Sequence, residues 1–212
     1  MANEQINGHG RHGNKWISNK GCLMLTMMHN AQSHIPITLL QHIICLSFVN
    51  SIKKMSSIKL KIKWPNDIYY ENKIKLGGVL VKYINRGQQK IFLSSIGVNL
   101  NNRYPTTCIN DIIDELYEED EKIKKEKCLA NFLNFYEDYI TEKSISEILN
   151  EYKENWIHSN QEVDIEIESA KTTGVITGID ENGYLIVLTN GKYVKAHPDG
   201  NSFDLTKNLI IS

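Results

Sequence analysis

Apolar residues recur with two different periods along the chain, and the places where the period changes mark its elements. Gly21–His29 contains Leu-Met-Leu-Thr-Met-Met, apolar almost throughout, and predicts a strand buried on both faces. Pro36 then opens a helix to about Met55, with Leu39, Leu40, Ile43, Ile44 and Phe48 at helical spacing. Lys59–Trp64 alternates basic and apolar residues, the period of a half-buried strand. Ile68–Tyr70 and Leu76–Ile84 read as a hairpin around Glu71-Asn72-Lys73, and Lys90–Val98 adds another strand.

From Asn110 to Trp156 the pattern is helical and charged, and Ser144-Ile145-Ser146-Glu147 has the form of a capping box opening the last helix. The mixed charges of Glu118–Lys127 read as a solvated face or loop. Short β-rich runs follow at Val163–Ile167, Gly174–Ile179, Tyr184–Leu188 and Tyr193–Ala196, with turn signals at Glu181-Asn182-Gly183 and Asn190-Gly191. Their spacing predicts a small antiparallel barrel of roughly 45–50 residues appended to the larger unit. The expected division is therefore 1–158 and 159–212.

Composition narrows the function classes. With 24 basic against 25 acidic side chains the net charge is −1, so there is no global basic field to draw nucleic acid or an anionic membrane, and any anion site must be local. Cys22, Cys45, Cys108 and Cys128 lack CxxC spacing and read as buried free thiols of a reducing compartment. The longest apolar stretch, Ile35–Val49, is interrupted by Thr38, Gln41 and His42 and is too short to span a bilayer. A cytoplasmic or organelle-matrix protein without a signal-peptide core is the expectation.

Three segments carry the chemistry. Gly8-His9-Gly10-Arg11-His12-Gly13-Asn14-Lys15-Trp16 sets three glycines and two permanent cations beside an aromatic anchor. Glycine lets backbone amides approach a ligand closely, and guanidinium donors match carboxylate or phosphate. Lys63-Trp64-Pro65-Asn66-Asp67 places amide and carboxylate oxygens just after a strand. Lys75-Leu76-Gly77-Gly78 puts a cation beside a stretch that tolerates close backbone approach, and Gly97-Val98-Asn99 ends the last strand.

Together these segments resemble the biotin protein ligases of the eukaryotic holocarboxylase synthetase kind. The similarity continues through Pro105–Asp111, Trp156-Ile157-His158-Ser159-Asn160-Gln161 and His197-Pro198-Asp199-Gly200-Asn201-Ser202-Phe203-Asp204. The resemblance implies an α+β fold: a mixed β-sheet with helices on one face, like that of class II aminoacyl-tRNA synthetases, followed by a small C-terminal SH3-like barrel. It implies ATP-dependent activation of biotin to biotinyl-5′-AMP and transfer to a lysine of a biotin carboxyl-carrier domain. Biotin, ATP and Mg²⁺ are the implied small molecules, with the metal arriving on ATP and at most Asp67 touching it.

By the same resemblance Arg11, Lys75 and Asp67 are the expected catalytic residues. Arg11 and Lys75 would offset the repulsion between carboxylate and α-phosphate, and Asp67 would help the incoming amine lose its proton. Gln5, Gly8, His9, Gly10, Trp16, Gly77, Gly78 and Gly97 would line the biotin and adenylate site. Asn66 and Asn99 would lie near the nucleotide. The glycine-rich segment is expected as a loop that shields the adenylate from water, and His197 as a structural residue of the closing segment.

Two departures from the family pattern stand out. His9 occupies a position that is usually arginine or lysine; a largely neutral side chain there implies weaker adenylate retention or an added pH dependence. The family's first strand and helix, which contact biotin's ureido ring, have no counterpart before Gln5, so an N-terminally shortened enzyme is expected. A catalytically impaired chain that only binds, and a related lipoate-attachment enzyme, are the competing readings. The Lys63–Asp67 segment and the C-terminal β-rich region favour the biotin branch.

Overall fold

A computed structural model describes residues 1–30, 35–86, 89–116, 122–167, 170–198 and 209–211. Residues 118–121 of the charged run and 199–204 of the C-terminal motif lie outside the described residues.

The chain opens with a ribbon: β1 (Gln5–His9) and β2 (Lys15–Ser18) pair antiparallel, with a 3-10 turn over Arg11–Gly13 at the tip. The expected loop is thus an ordered hairpin. It closes because Gly8 lacks a Cβ, which would stand 2.3 Å from the Trp16 carbonyl oxygen opposite. At the tip Gly13 takes φ +77°, a left-handed conformation that glycine adopts without strain.

Next come β3 (Leu23–Asn30), α1 (Leu40–Lys53), β4 (Leu60–Lys63), β5 (Asp67–Tyr70), β6 (Ile74–Arg86) and β7 (Gln89–Val98). The strands form one sheet in the order β3-β7-β6-β5-β4, and its four ladders are antiparallel. Parallel pairing enters at its rim, where Ile62 bridges Trp156. Glu71 and Asn72 take φ 49° and 59° in the three-residue connection Glu71-Asn72-Lys73 between β5 and β6, a turn closed by Lys73 N donating to the Tyr70 carbonyl at 3.1 Å.

Helices α2 (Ile109–Leu116), α3 (Lys125–Thr141) and α4 (Ile145–Asn155) follow. α1 packs on β4, β5 and β6 on one side and on α3 and α4 on the other. That sandwich explains a helix apolar nearly all round, with Ile43, Ile44, Leu46, Phe48 and Ile52 fully buried. Each such side chain contributes about 1.5–3 kcal/mol of burial. The capping box forms as the sequence predicts: Ser144 Oγ accepts from Glu147 N at 3.3 Å, and the Glu147 carboxylate accepts from Ser144 N at 2.9 Å.

The remaining strands, β8 (Glu162–Ile167), β9 (Ala170–Ile179), β10 (Leu185–Thr189), β11 (Lys192–Ala196) and β12 (Leu209–Ile211), make a small SH3-like sheet in the order β11-β10-β9-β8-β12. β12 joins β8 parallel; the other pairs are antiparallel. Val163, Ile165, Ile176, Leu185 and Val187 fill its interior. Asn190 and Gly191, at φ 48° and 71°, make the predicted tight turn. The four cysteines are buried and unbridged. Burial pushes the thiols up, Cys22 to about 11 and Cys128 to about 12, and leaves them inert at neutral pH. Among the described residues no helix is long and apolar enough to cross a membrane.

Candidate active site

The ribbon, the 63–67 turn and one face of the sheet enclose a cavity of about 880 Å³. The sheet supplies Gly78 and Leu80 from β6, Ser95 and Gly97 from β7, and Met24 and Thr26 from β3. These residues lie opposite one another in the ladders, Met24 with Gly97 and Thr26 with Ser95, so they share one face. The ribbon adds Gln5, His9, Gly10, Arg11 and Trp16. Trp16 lies against Gly97, where any added Cβ would come within 2.8 Å of the indole nitrogen.

The 63–67 turn is held from its own backbone. Asn66 donates its side-chain amide to the Val79 carbonyl at 2.7 Å, and its own carbonyl accepts from Val79 N at 2.9 Å. With Nδ2 fixed in this way, Oδ1 faces Arg11, which donates to it at 3.3 Å. The other guanidinium arm donates to the Pro198 carbonyl, so one side chain joins the ribbon, the turn and the end of the C-terminal sheet. Lys75 Nζ lies 2.7 Å from Asp67 Oδ2. The pair is partly open, 43% and 19% exposed, as suits groups that exchange each other for a ligand. Gly78 sits beneath it, where a Cβ would approach Asp67 Oδ1 to 2.8 Å. Burial and the Asp67 carboxylate push the neighbouring Tyr69 phenol up to about 12, so it stays protonated.

Charge is the telling property of this cavity. Arg11, Lys15, Lys63, Lys75 and Lys82 line it, with Asp67 the single acidic side chain among the described lining residues. A chain of net charge −1 has gathered its cations where an anion would sit.

The structure draws Gln5, His9, Gly10, Arg11, Trp16, Asn66, Asp67, Lys75, Gly78 and Gly97 into the cavity wall. It moves three expected residues out of that wall. Gly8 serves the ribbon ladder. Gly77 lets β6 lie against β7, since a Cβ there would meet the Gly97 carbonyl at 2.5 Å. Asn99 is buried behind the strand end, donating to Thr106 Oγ1 at 3.0 Å and accepting from Asn102 at 2.9 Å. Met24, Thr26, Ser95, Lys63 and Lys82 line the cavity without having been singled out as site residues. Strand alternation gives their facing only once the β3–β7–β6 register is known. His197 packs on Tyr184 in a tilted arrangement, with ring centroids 4.0 Å apart.

The model of the biotin/lipoate A/B protein ligase family matches residues 1–101, and that of the biotin protein ligase C-terminal domain matches 158–205. Biotin–protein ligase 2 of Arabidopsis thaliana is 31% identical over 224 residues, an alignment covering 99% of this chain and 68% of that protein. The chain belongs to the biotin protein ligase family. Human biotin–protein ligase is 36% identical over 228 residues, covering all of this chain and 31% of the human protein. The chain therefore spans less than a third of that ligase and about two thirds of the Arabidopsis one. Among solved structures, the biotin protein ligase from Aquifex aeolicus in complex with biotin and ATP superposes with a TM-score of 0.73 at 24% identity, covering 93% of this chain and 84% of that one. At that identity the likeness establishes the shared fold.

Proposed function

We propose that the chain activates biotin with ATP and transfers it to a lysine of a biotin carboxyl-carrier domain. The observation that carries the reading is the cationic cavity built by the ribbon, the 63–67 turn and Lys75. In the first step a biotin carboxylate oxygen attacks the α-phosphorus of ATP and pyrophosphate leaves, giving biotinyl-5′-AMP. Two anions must approach, and Arg11 and Lys75 stabilise the charge that builds on the phosphate oxygens. Lys75 is freed for this by exchanging Asp67 for the substrate. In the second step the lysine ε-amine attacks the acyl carbon and AMP leaves. Asp67, released from Lys75, accepts the amine's proton.

The hydroxyls and backbone of the ribbon and sheet face orient biotin, and Trp16 on Gly97 closes the wall against water. Mg²⁺ enters as part of the substrate Mg-ATP; the Asp67 carboxylate and Asn66 Oδ1 are hard oxygen donors that suit it. The division at residues 158 and 159 is supported by the start of the second family match and by the new sheet from Glu162. We assign the carboxylases' carrier domains as acceptors and the cytoplasm as the compartment, the latter in keeping with four unbridged thiols.

The test is labelling of a purified biotin carrier domain by this chain, with biotin and ATP each omitted in turn and with Lys75→Ala. Labelling is expected to need both substrates and to fall about 10²–10³-fold in the variant. Equal labelling by Lys75→Ala would remove the assigned role of the cavity. Biotin binding with no adenylate formed would leave a binding protein.

A further inference from the structure

The Trp156–Gln161 segment lies outside the cavity, yet it is tied to the turn that carries Asn66 and Asp67. His158 is fully buried and is absent from the cavity lining, so it cannot touch substrate. Its Nε2 accepts the Trp64 backbone N–H at 3.0 Å, and its Nδ1 lies 2.7 Å from Gln161 Oε1. An amide N–H can only donate, so Nε2 carries the lone pair and Nδ1 carries the proton, which it donates to Gln161. Gln161 is in turn anchored to the C-terminal sheet, its carbonyl accepting from Ile176 N at 2.9 Å. The Trp64 indole donates to the Gly183 carbonyl at 2.9 Å, a second attachment to the same sheet. Ile157 N donates to the Ile62 carbonyl at 3.1 Å and keeps the segment in register with β4.

We propose that His158 is a positioning residue: by accepting the Trp64 amide it fixes the backbone from which Asn66 and Asp67 project, and so lets the C-terminal sheet set the aim of the nucleotide end of the cavity. The path is continuous, from β9 through Gln161 and His158 to Trp64 and then, within three residues, to Asp67. Burial holds the imidazole neutral, with its pKa pushed down to about 4, so the acceptor is present at physiological pH. Without that acceptor the Trp64 amide is a buried donor with no partner and the turn relaxes to find one. The kinetic consequence rests on the ligase reading; the structural consequence does not.

The experiment compares His158→Gln, whose side-chain amide reaches the place of Nε2, with His158→Asn, which reaches only the place of Nδ1. Exchange of the Trp64 amide proton by NMR reads the hydrogen bond directly, and the KM for ATP and for biotin are measured on the same proteins. His158→Asn is expected to exchange at Trp64 at least about tenfold faster and to lose about ten- to a hundredfold in kcat/KM for ATP, with the KM for biotin little changed. His158→Gln is expected to restore both. Slow Trp64 exchange in a folded His158→Asn protein would overturn the proposal. So would loss of both properties in folded His158→Gln. If neither the parent chain nor any variant forms adenylate, the ligase reading fails, and the exchange data alone decide the positioning role.

Discussion

Acid is expected to destabilise this protein measurably well before its carboxylates titrate, because two histidines are buried in neutral form. His42 is fully buried on α1, donates from Nδ1 to the Thr38 carbonyl at 3.1 Å, and sets its ring edge-on to Tyr152. Its Nε2 has no hydrogen-bond partner among the described residues and faces Gly183. Desolvation, aided by Arg11, pushes its pKa from 6.5 down to about 4. His158 is likewise lowered to about 4 by burial, with Lys63 adding to the effect. A folded-state pKa below the unfolded one means that the unfolded chain takes up protons the native state refuses. Stability is therefore full above about pH 6.5 and falls as the pH drops toward 4.

The loss between pH 7.5 and 5.5 is about 1.3 kcal/mol per histidine, or about 2.6 kcal/mol for the pair. Against a total of about 5–15 kcal/mol this is easily measured. Glu147, whose pKa is lowered by Ser144, and Asp180, lowered chiefly by Lys195 and two backbone amides against the opposing effect of burial, lose their contribution only at lower pH, outside this window. Urea denaturation at pH 7.5, 6.5 and 5.5 is the assay, on the parent chain, His42→Leu, His158→Gln and the double variant. Each single variant is expected to remove about half of the pH slope whatever it does to stability at pH 7.5. A parent midpoint that does not move over this range, or an undiminished slope in the double variant, would refute the reasoning.

Two further substitutions separate site from scaffold. In Gly97→Ala the new methyl would meet Trp16 Nε1 at 2.8 Å and Cε2 at 3.3 Å, so the ribbon must shift; ligand affinity by calorimetry is expected to fall at least about tenfold while the unfolding free energy from urea denaturation falls by under about 3 kcal/mol. Ser144→Ala removes the cap of α4 far from the cavity and is expected to cost about 1 kcal/mol in the same denaturation experiment, with ligand affinity unchanged.

The strands were legible where the chain repeats with period two and ends on a turn residue. Glu71-Asn72 and Asn190-Gly191 announce hairpins through the same left-handed geometry they adopt. The capping box at Ser144 is equally local, a matter of four consecutive residues. The glycine-rich segment misleads because glycine reads as a loop residue, while here Gly8 is what permits a ladder to close. Gly77 and Asn99 mislead for a related reason. A short motif marks where a chain passes the site, and neighbours within that motif alternate between facing the cavity and supporting it from behind. Gly78 faces in and Gly77 faces β7, whereas Asn99 lies behind Gly97 because the strand has ended at Val98 and the chain has left the sheet.

Charge shows the same limit on a larger scale. The near-balance of 24 cations and 25 carboxylates excludes a global field but says nothing about where either kind gathers. Arg11, Lys15, Lys63, Lys75 and Lys82 come from the ribbon, the end of β4 and two positions on β6, and only the sheet order brings them around one volume. Arg11 shows how far this reaches, since one of its partners is the backbone carbonyl of Pro198. A carbonyl is common to every residue and leaves no mark in sequence. The C-terminal sheet therefore meets the site through main-chain groups at Pro198 and Gly183 and through the His158–Trp64 bond. Substitutions on that sheet's surface can leave all three contacts intact, whereas any change that moves its backbone is transmitted to Arg11 and to the 63–67 turn together.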